Sequence, residues 1–478
     1  MIDGVGAALW GPLLLAAGLM LRMRSVRAAR LAASVLLGLV LMASVAMLGV
    51  LVVGDAELRE AIWPATGSYA DALAAAILPV VLACALATIV SAPRAVVTVE
   101  TSSDALLLAG CAVGATLADG LPALLALSLV AMVPLGREAR RGDDVLRRAF
   151  RFLVFTSFLP FAIAVAAVVF FSARAGVAWP FGAADVVSSG ALDGHTHWIG
   201  PLLWVAAMAR LGVFPFHVWV PAVAERVRAP AGSITIVSPL GALVALKAAL
   251  AFAPQATAAV GNAILPLAAV SAAYGALLAV GQHHAGRQLG LLWVSTMGAV
   301  VAGLVALDAR ALSGALLQFL ALLLAMTGLW SHVRAVACRT RTEDMRCLGG
   351  LVRSAPGLAT GFLVLSLATV SFPGTATFLS ADLLVQGLLA EHPVVSAVLL
   401  VSTALNGITL VRAYKRIFLG SPSAFAATTT IEDVLPRERA ASLALVVALL
   451  IGGLAPTPLL LVKEAARGTL AASGGGGR

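Results

Sequence analysis

The feature that most constrains this chain is a succession of apolar runs, each long enough to cross a membrane as a helix, along nearly its whole length. About 20 apolar helical residues cross a hydrocarbon core roughly 30 Å thick. Hydrophobic residues make up 61% of the 478 residues and charged residues 12%, so a soluble fold would lack the polar side chains to cover its surface. The sequence therefore predicts an all-α polytopic membrane protein.

Apolar runs and helix breakers together predict about 14 transmembrane helices. The first run is interpreted as a span rather than a secretory leader, because basic residues follow it instead of preceding it. The predicted spans are 4–22, 29–53, 70–91, 103–118, 121–136, 149–173, 198–226, 232–252, 260–281, 287–306, 309–333, 355–390, 394–417 and 440–463. A flexible, glycine-rich tail follows the last span.

Basic residues predict the orientation of these spans. Most of the 32 Lys and Arg residues fall in odd-numbered loops, and few fall in even-numbered loops or the C-terminal tail. Because cytoplasmic loops carry the excess of Lys and Arg, the pattern predicts a bacterial inner membrane protein with both termini on the outer side. The net charge of +9 is then an orientation signal, and no nucleic-acid partner is expected.

Few charged residues lie well inside the predicted spans, away from their ends, and these are the candidates for an ion pathway. The basic residues are Arg210 and Lys247, and the acidic residue is Asp382. A charge at the centre of a spanning helix is costly, so each is treated as a functional hypothesis. The alternative is that each side chain snorkels to the interface or serves a structural ion pair. His217 is a further candidate, although a hydrogen-bonded structural histidine is the more common case.

Two of the spans are too long and contain helix breaks. Pro215 interrupts the seventh span, and Pro373 with Gly374 interrupts the twelfth. Proline removes a backbone donor, so neighbouring helices or water must satisfy the groups that each break exposes.

A motif around the first break resembles a known family. The segment reads Arg-Leu-Gly-Val-Phe-Pro-Phe-His-Val-Trp-Val-Pro over 210–221, and Ala-Pro-Ala-Gly-Ser follows over 229–233. It resembles the antiporter-like membrane subunits of respiratory complex I, related hydrogenases and Mrp-type cation/proton antiporters. Weaker similarities over 287–298, 369–384 and 406–420 extend the resemblance to roughly residues 100–420.

The resemblance implies two inverted five-helix repeats with breaks in helices 7 and 12. Here the repeats are expected at 103–253 (helices 4–8) and 254–420 (helices 9–13). They are flanked by N-terminal helices 1–3 in 1–102 and by a loop, helix 14 and the tail in 421–478.

The chain departs from the family at the positions that carry its central chain of ionisable groups. The family glutamate of helix 5 falls on Ser128, and the lysine of helix 7 falls on Arg210. The family His and Lys of helix 11 fall on Gly314 and Gln318, and the ionisable residue of helix 12 falls on Ala381, beside Asp382. Arginine does not release its proton in proteins. The resemblance thus implies a membrane subunit of an ion-translocating complex whose proton relay is partly lost.

Two functional readings remain open from the sequence. One is a transport subunit that acts with other membrane and peripheral subunits. The other is a non-pumping scaffold that anchors a partner, as in two-component inorganic-carbon transporters, whose membrane subunit the chain also resembles. Neither reading assigns this chain a catalytic site, a metal site or a cofactor, so any redox chemistry belongs to partners. We predict that Arg210→Ala impairs the complex more than Lys247→Ala.

Overall fold

The structure is a computed structural model, and it describes residues 4–53, 69–118, 120–179, 182–227, 230–236, 238–250, 254–421 and 431–455. The turn residue Asp119, the glycine-rich tail and the end of the fourteenth predicted span lie outside the described residues. Within those ranges the chain is helical and has no named β-strand, which confirms the predicted fold class.

The first half of the chain contains eleven α-helices or helix segments in the described residues. They are α1 (Gly4–Met20), α2 (Val26–Val53), α3 (Tyr69–Ser91), α4 (Val99–Leu117), α5 (Leu121–Val130), α6 (Val133–Arg141), α7 (Asp144–Arg174), α8 (Ala183–Ser188), α9 (Thr196–Leu211), α10 (Trp219–Arg226) and α11 (Pro230–Ile236). A 3₁₀ turn at Phe216–Val218 joins α9 to α10.

The second half continues with eight more α-helices in the described residues. They are α12 (Leu240–Leu243), α13 (Pro254–Gly281), α14 (Ala285–Val305), α15 (Ala309–Thr340), α16 (Pro356–Thr369), α17 (Ala376–Leu389), α18 (Pro393–Phe418) and α19 (Pro436–Leu454). A π-helical segment, Val244–Leu250, follows α12 directly.

The described ranges hold nine helical segments long and apolar enough to cross a membrane, together with four shorter apolar helices. Most predicted spans coincide with an observed helix to within a few residues, and both predicted breaks are present. The first break, with the cis peptide bond of Phe214–Pro215, separates α9 from α10. Residues 370–375 separate α16 from α17.

Two further interruptions were missed by the sequence analysis. The fifth predicted span is divided at Ala131–Met132, and the eighth is divided at Ser238–Pro239 before the π-helical segment. A π-helical turn widens the backbone hydrogen-bond ring and is frequent at functional sites. Lys247 lies inside this segment.

The long helix α15 forms the centre of the bundle, and its apolar window is completely buried. Glycines permit its close contact with α17. A Cβ atom on Gly314 would lie 2.5 Å from the backbone nitrogen of Leu384, and one on Gly387 would lie 2.3 Å from that of Ala311. Small residues allow helix backbones to approach in this way in membranes. The glycine at 314 is therefore required by packing.

One end of the bundle, here called the basic end, carries the arginine-rich connections between α6 and α7 and between α15 and α16. There the guanidinium of Arg30 on α2 donates to the carbonyl oxygens of Ile89, Val90 and Ala92, at 2.7, 2.7 and 2.9 Å. These carbonyls belong to the C-terminal turn of α3, which has no intrahelical donors of its own. A cation there also complements the helix dipole.

Candidate functional site

Arg210 occupies the last turn of α9, immediately before the first break, and is 5% exposed. Gly212 adopts a left-handed conformation at φ +74°, and a Cβ atom there would lie 2.2 Å from the side chain of Val220. Only glycine fits that turn. The sharp end of α9 therefore holds the Arg210 guanidinium inside the bundle instead of extending it towards a surface.

The Arg210 guanidinium has an unusual environment for a buried cation. One nitrogen donates to the sulfur of Met132 at 3.0 Å, and the other terminal nitrogen has no hydrogen-bond partner in the described residues. Met132 lies one turn after Ser128, where the family glutamate of helix 5 was expected to fall. Ser128 is itself buried, and its hydroxyl also has no hydrogen-bond partner among the described residues. A thioether is a weak acceptor, so the charge of Arg210 is largely uncompensated.

Lys247 is positioned quite differently. Its half-buried ammonium donates to the carbonyl oxygens of Thr116 and Ala118, the latter at 2.8 Å. These two oxygens lie at the C-terminal end of α4, where helix carbonyls lack internal donors. The ammonium thus acts as a cap for α4, which agrees with a structural reading of Lys247.

His217 lies in the 3₁₀ turn after the break, buried between aromatic rings. It is stacked against Phe214 at 5.8 Å between ring centroids and meets Tyr274 edge-on at 5.1 Å. Its Nδ1 atom has no hydrogen-bond partner among the described residues. Among the described residues, no hydrogen bond or ion pair joins any two of the four candidates, Arg210, His217, Lys247 and Asp382.

Asp382 lies at the middle of α17, but its side chain is exposed on the outside of the bundle. Its carboxylate accepts a hydrogen bond of 2.8 Å from the amide of Gln386, one turn later. Asp382 therefore faces away from the interior cavity, which the neighbouring Ala381 lines.

The interior of the second half contains neutral polar side chains instead. Gln318 of α15 accepts a hydrogen bond from the Ser380 hydroxyl of α17. Nearby, the amide of Asn406 on α18 donates to the Ser295 hydroxyl of α14 at 2.9 Å. The carbonyl oxygen of the Asn406 side chain is buried without a partner in the described residues.

Gln318, Ser295 and Asn406 line one small cavity between α14, α15, α17 and α18, here called the second cavity because it lies in the second half of the chain. Its volume is about 30 Å³, enough for a water molecule. Among the described residues, its lining contains no Asp, Glu, Lys, Arg or His side chain. The cavity can therefore hold hydrogen-bonded water, but its own side chains do not exchange protons near neutral pH.

His332 on α15 is a buried titratable residue that the sequence analysis did not single out. Its Nδ1 atom lies 2.9 Å from the carbonyl oxygen of Gly328, and its Nε2 atom lies 3.4 Å from the Ser442 hydroxyl of α19. Gly361 of α16 packs against the ring. Listing every histidine within the predicted spans would have found it. In the described residues, no group of three or more His, Cys, Asp or Glu side chains could hold a metal ion.

The transmembrane model described as NADH:quinone oxidoreductase/Mrp antiporter matches residues 124–406, more than half of the chain. The chain belongs to this family. The match begins in α5 and ends in α18, so it includes both breaks, Arg210 and the second cavity. It confirms the resemblance inferred from the motif around Pro215, and with it the assignment as a multi-pass membrane protein.

Relatives of this family are distant in sequence. The chain is 26% identical over 340 residues to NADH-quinone oxidoreductase subunit M of Escherichia coli (strain K12), covering 70% of this chain and 67% of that protein. It is 26% identical over 266 residues to the subunit M of Mycobacterium tuberculosis (strain H37Rv), covering 55% and 48%. The matched region thus spans 48% to 67% of the length of these relatives.

Solved structures agree with the fold over nearly the whole chain. A chain of respiratory complex I from Thermus thermophilus with bound NADH gives a TM-score of 0.84 at 21% identity, covering 98% of this chain and all of that one. A chain of the Mrp complex from Dietzia sp. DQ12-45-1b gives 0.79 at 18% identity, covering 97% of each. The family fold is therefore retained over nearly the whole chain.

Proposed function

We propose that this chain is an antiporter-like membrane subunit of a hetero-oligomeric, ion-translocating complex, with a proton relay that is partly lost. The observation that carries the proposal is Arg210: a buried guanidinium beside a broken helix of the family fold, with one nitrogen that has no partner among the described residues. An uncompensated charge buried in a membrane-spanning segment is costly, so the presence of Arg210 there favours a role in ion movement.

In this proposal Arg210 is a fixed charge rather than a proton carrier. Its field lowers the affinity of nearby water or titratable groups for a proton, and it cannot release its own proton. His217, Lys247 and Asp382 are the titratable candidates that remain in or beside the breaks. The two five-helix repeats, at 103–253 and 254–420, would each provide half of the polar path.

The exposed side chain of Asp382 supports the hetero-oligomeric part of the proposal. A carboxylate on the outer face of an apolar helix is costly if lipid surrounds it. A neighbouring subunit that donates hydrogen bonds to it would remove this cost. We place the chain in a bacterial inner membrane with its basic end in the cytoplasm and both termini on the outer side, following the distribution of Lys and Arg.

A non-pumping scaffold is the second candidate, and the neutral lining of the second cavity favours it. The two functions are separated by purifying the chain with its partners in mild detergent, identifying these by mass spectrometry, and measuring proton flux after reconstitution into liposomes. Transport predicts that Arg210→Met lowers the flux by about tenfold or more while the complex stays assembled. An assembled complex with unchanged flux would favour the scaffold.

A cavity variant tests the second half in the same assay. Asn406→Leu removes the amide that binds Ser295 and fills the space next to it. If ions or water cross this cavity, the flux falls while the partners still co-purify. Thr403→Val, which lines the same cavity, is the size-matched control because it removes one hydroxyl and keeps the volume.

A further inference from the structure

A large cleft opens on the surface of the bundle between α6 and α7, at the basic end. Its volume is about 620 Å³, and its lining includes Met132, Val133, Gly136, Arg140, Arg147 and Arg151. We call it the α6–α7 cleft. Gly136 lets the ring of Phe150 pack closely on α6, because a Cβ atom at 136 would lie 3.1 Å from that ring. None of the ion-pathway candidates lines it.

The charge of the cleft is positive. Three arginines face one carboxylate, Asp144, which pairs with Arg147 at 2.7 Å. Arg140 and Arg151 are exposed and, in the described part of the chain, form no hydrogen bond or ion pair. Two guanidinium groups without partners, one on each wall, can bind the oxygens of a phosphate in bidentate fashion.

Directly beyond the arginines, both walls become apolar and remain exposed. On α7, Phe155, Leu159 and Ile163 follow Arg151 at intervals of four residues and are 67%, 46% and 46% exposed. Residues four apart share one helix face. On the other wall, Leu129 and Val133 are 46% and 48% exposed. A cationic end thus continues into an apolar groove along a membrane-spanning helix.

From this arrangement we infer that the α6–α7 cleft binds an anionic phospholipid. Its phosphate lies between Arg140 and Arg151, and an acyl chain follows Phe155, Leu159 and Ile163. A free phosphate ion would use the arginines but not the groove. A zwitterionic lipid would fill the groove, but its headgroup amine would meet the arginines with like charge. Basic pockets between helices at the membrane surface bind anionic headgroups in other proteins.

The test uses the full chain with its native partners, stripped of lipid in neutral detergent. Binding of phosphatidylglycerol is measured by native mass spectrometry and by the rise in the thermal midpoint, with phosphatidylcholine and inorganic phosphate as separate probes. Arg140→Gln with Arg151→Gln should weaken phosphatidylglycerol binding by about tenfold or more. Arg24→Gln with Arg148→Gln removes the same charge from exposed residues outside the cleft and should leave binding unchanged.

Photoactivatable phosphatidylglycerol provides a measurement that needs no variant. Cross-links are expected on peptides covering 129–163, and phosphatidylcholine should give few there. The inference is overturned if both double variants bind alike, if inorganic phosphate stabilises the protein as well as the lipid does, or if a cross-linker at residue 155 captures a partner subunit instead of lipid.

Discussion

Arg334 of α15 and Glu343 of the following loop form an ion pair whose side chains are only 11% and 2% exposed. The second terminal nitrogen of Arg334 donates to the carbonyl oxygens of Ala224 and Val227, at 2.7 and 2.9 Å. These oxygens end α10, the helix that follows the first break. One guanidinium therefore joins the two halves of the bundle at its basic end.

Loss of either partner of this pair should destabilise the protein strongly. Arg334→Ala leaves the buried carboxylate of Glu343 with only the His284 imidazole, 3.7 Å away, and removes the side-chain donor from the end of α10. Breaking a buried pair in this way costs about 3–5 kcal/mol, so the thermal midpoint in detergent should fall by several degrees. Arg346→Ala, which breaks the exposed pair with Asp344, is the control. Equal midpoints for the two variants would contradict this role of Arg334.

Arg210 and Lys247 should separate activity from stability. Arg210 has one weak acceptor, so Arg210→Met removes an uncompensated charge and should leave the thermal midpoint unchanged or higher while ion flux falls. Lys247 caps α4, so Lys247→Met leaves the oxygens of Thr116 and Ala118 without their donor. Lys247→Met should therefore lower the free energy of unfolding by about 1–3 kcal/mol. Thermal unfolding and ion flux, measured on the same preparations of the two variants, check both expectations. Lower stability for Arg210→Met with lower flux only for Lys247→Met would contradict these roles.

The glycine contact between α15 and α17 predicts a position that tolerates no side chain. Gly314→Ala places a methyl group 2.5 Å from the Leu384 backbone, and separating two packed helices costs about 1–3 kcal/mol. Gly407→Ala on α18 has open space around it and should be neutral or stabilising by about 1 kcal/mol. The difference between the thermal midpoints of the two variants measures how tightly α15 packs on α17. Equal midpoints would show that the two helices can move apart without cost.

The loop after α15 should respond to acid through Asp344. The side chain and backbone N–H of Arg346 donate to this carboxylate and hold its pKa at about 2, below the ordinary value. Because the pKa is lowered in the folded state, the stabilisation is complete above about pH 4 and is lost as the pH falls towards about 2. The pair is largely exposed, so the effect is under about 1 kcal/mol.

Hydrogen exchange measures this loop directly. Two backbone hydrogen bonds hold the loop against the start of α14. The N–H of Met345 donates to the carbonyl oxygen of His283 at 2.8 Å, and the N–H of Ala285 donates to that of Glu343 at 2.9 Å. Exchange of the peptide covering 341–347, corrected for intrinsic rates, should rise below about pH 4 in the native protein. Asp344→Asn should remove that dependence. An identical profile in the variant would show that another group controls the loop.

The fold was largely predictable from sequence because a membrane imposes simple rules. Spanning segments must be apolar and helical, so the apolar runs around Leu291 and Leu322 can be assigned as spanning helices from the sequence. The breaks at Pro215 and Pro373 were equally visible, since proline removes a backbone donor. The break before Lys247 was not, although Pro239 lies there, because an apolar run around a proline is compatible with a continuous, kinked helix.

The sequence by itself determined the membrane class, the approximate limits of most helices, the family and the presence of two charged candidates inside spans, Arg210 and Lys247. Only the tertiary structure decided what those charges meet. It gave Lys247 two carbonyl oxygens, left Arg210 facing Met132, and turned Asp382 outwards. Apolar periodicity is a property of one segment, whereas the partner of a charge depends on which helices pack together, over separations such as the 78 residues between Met132 and Arg210.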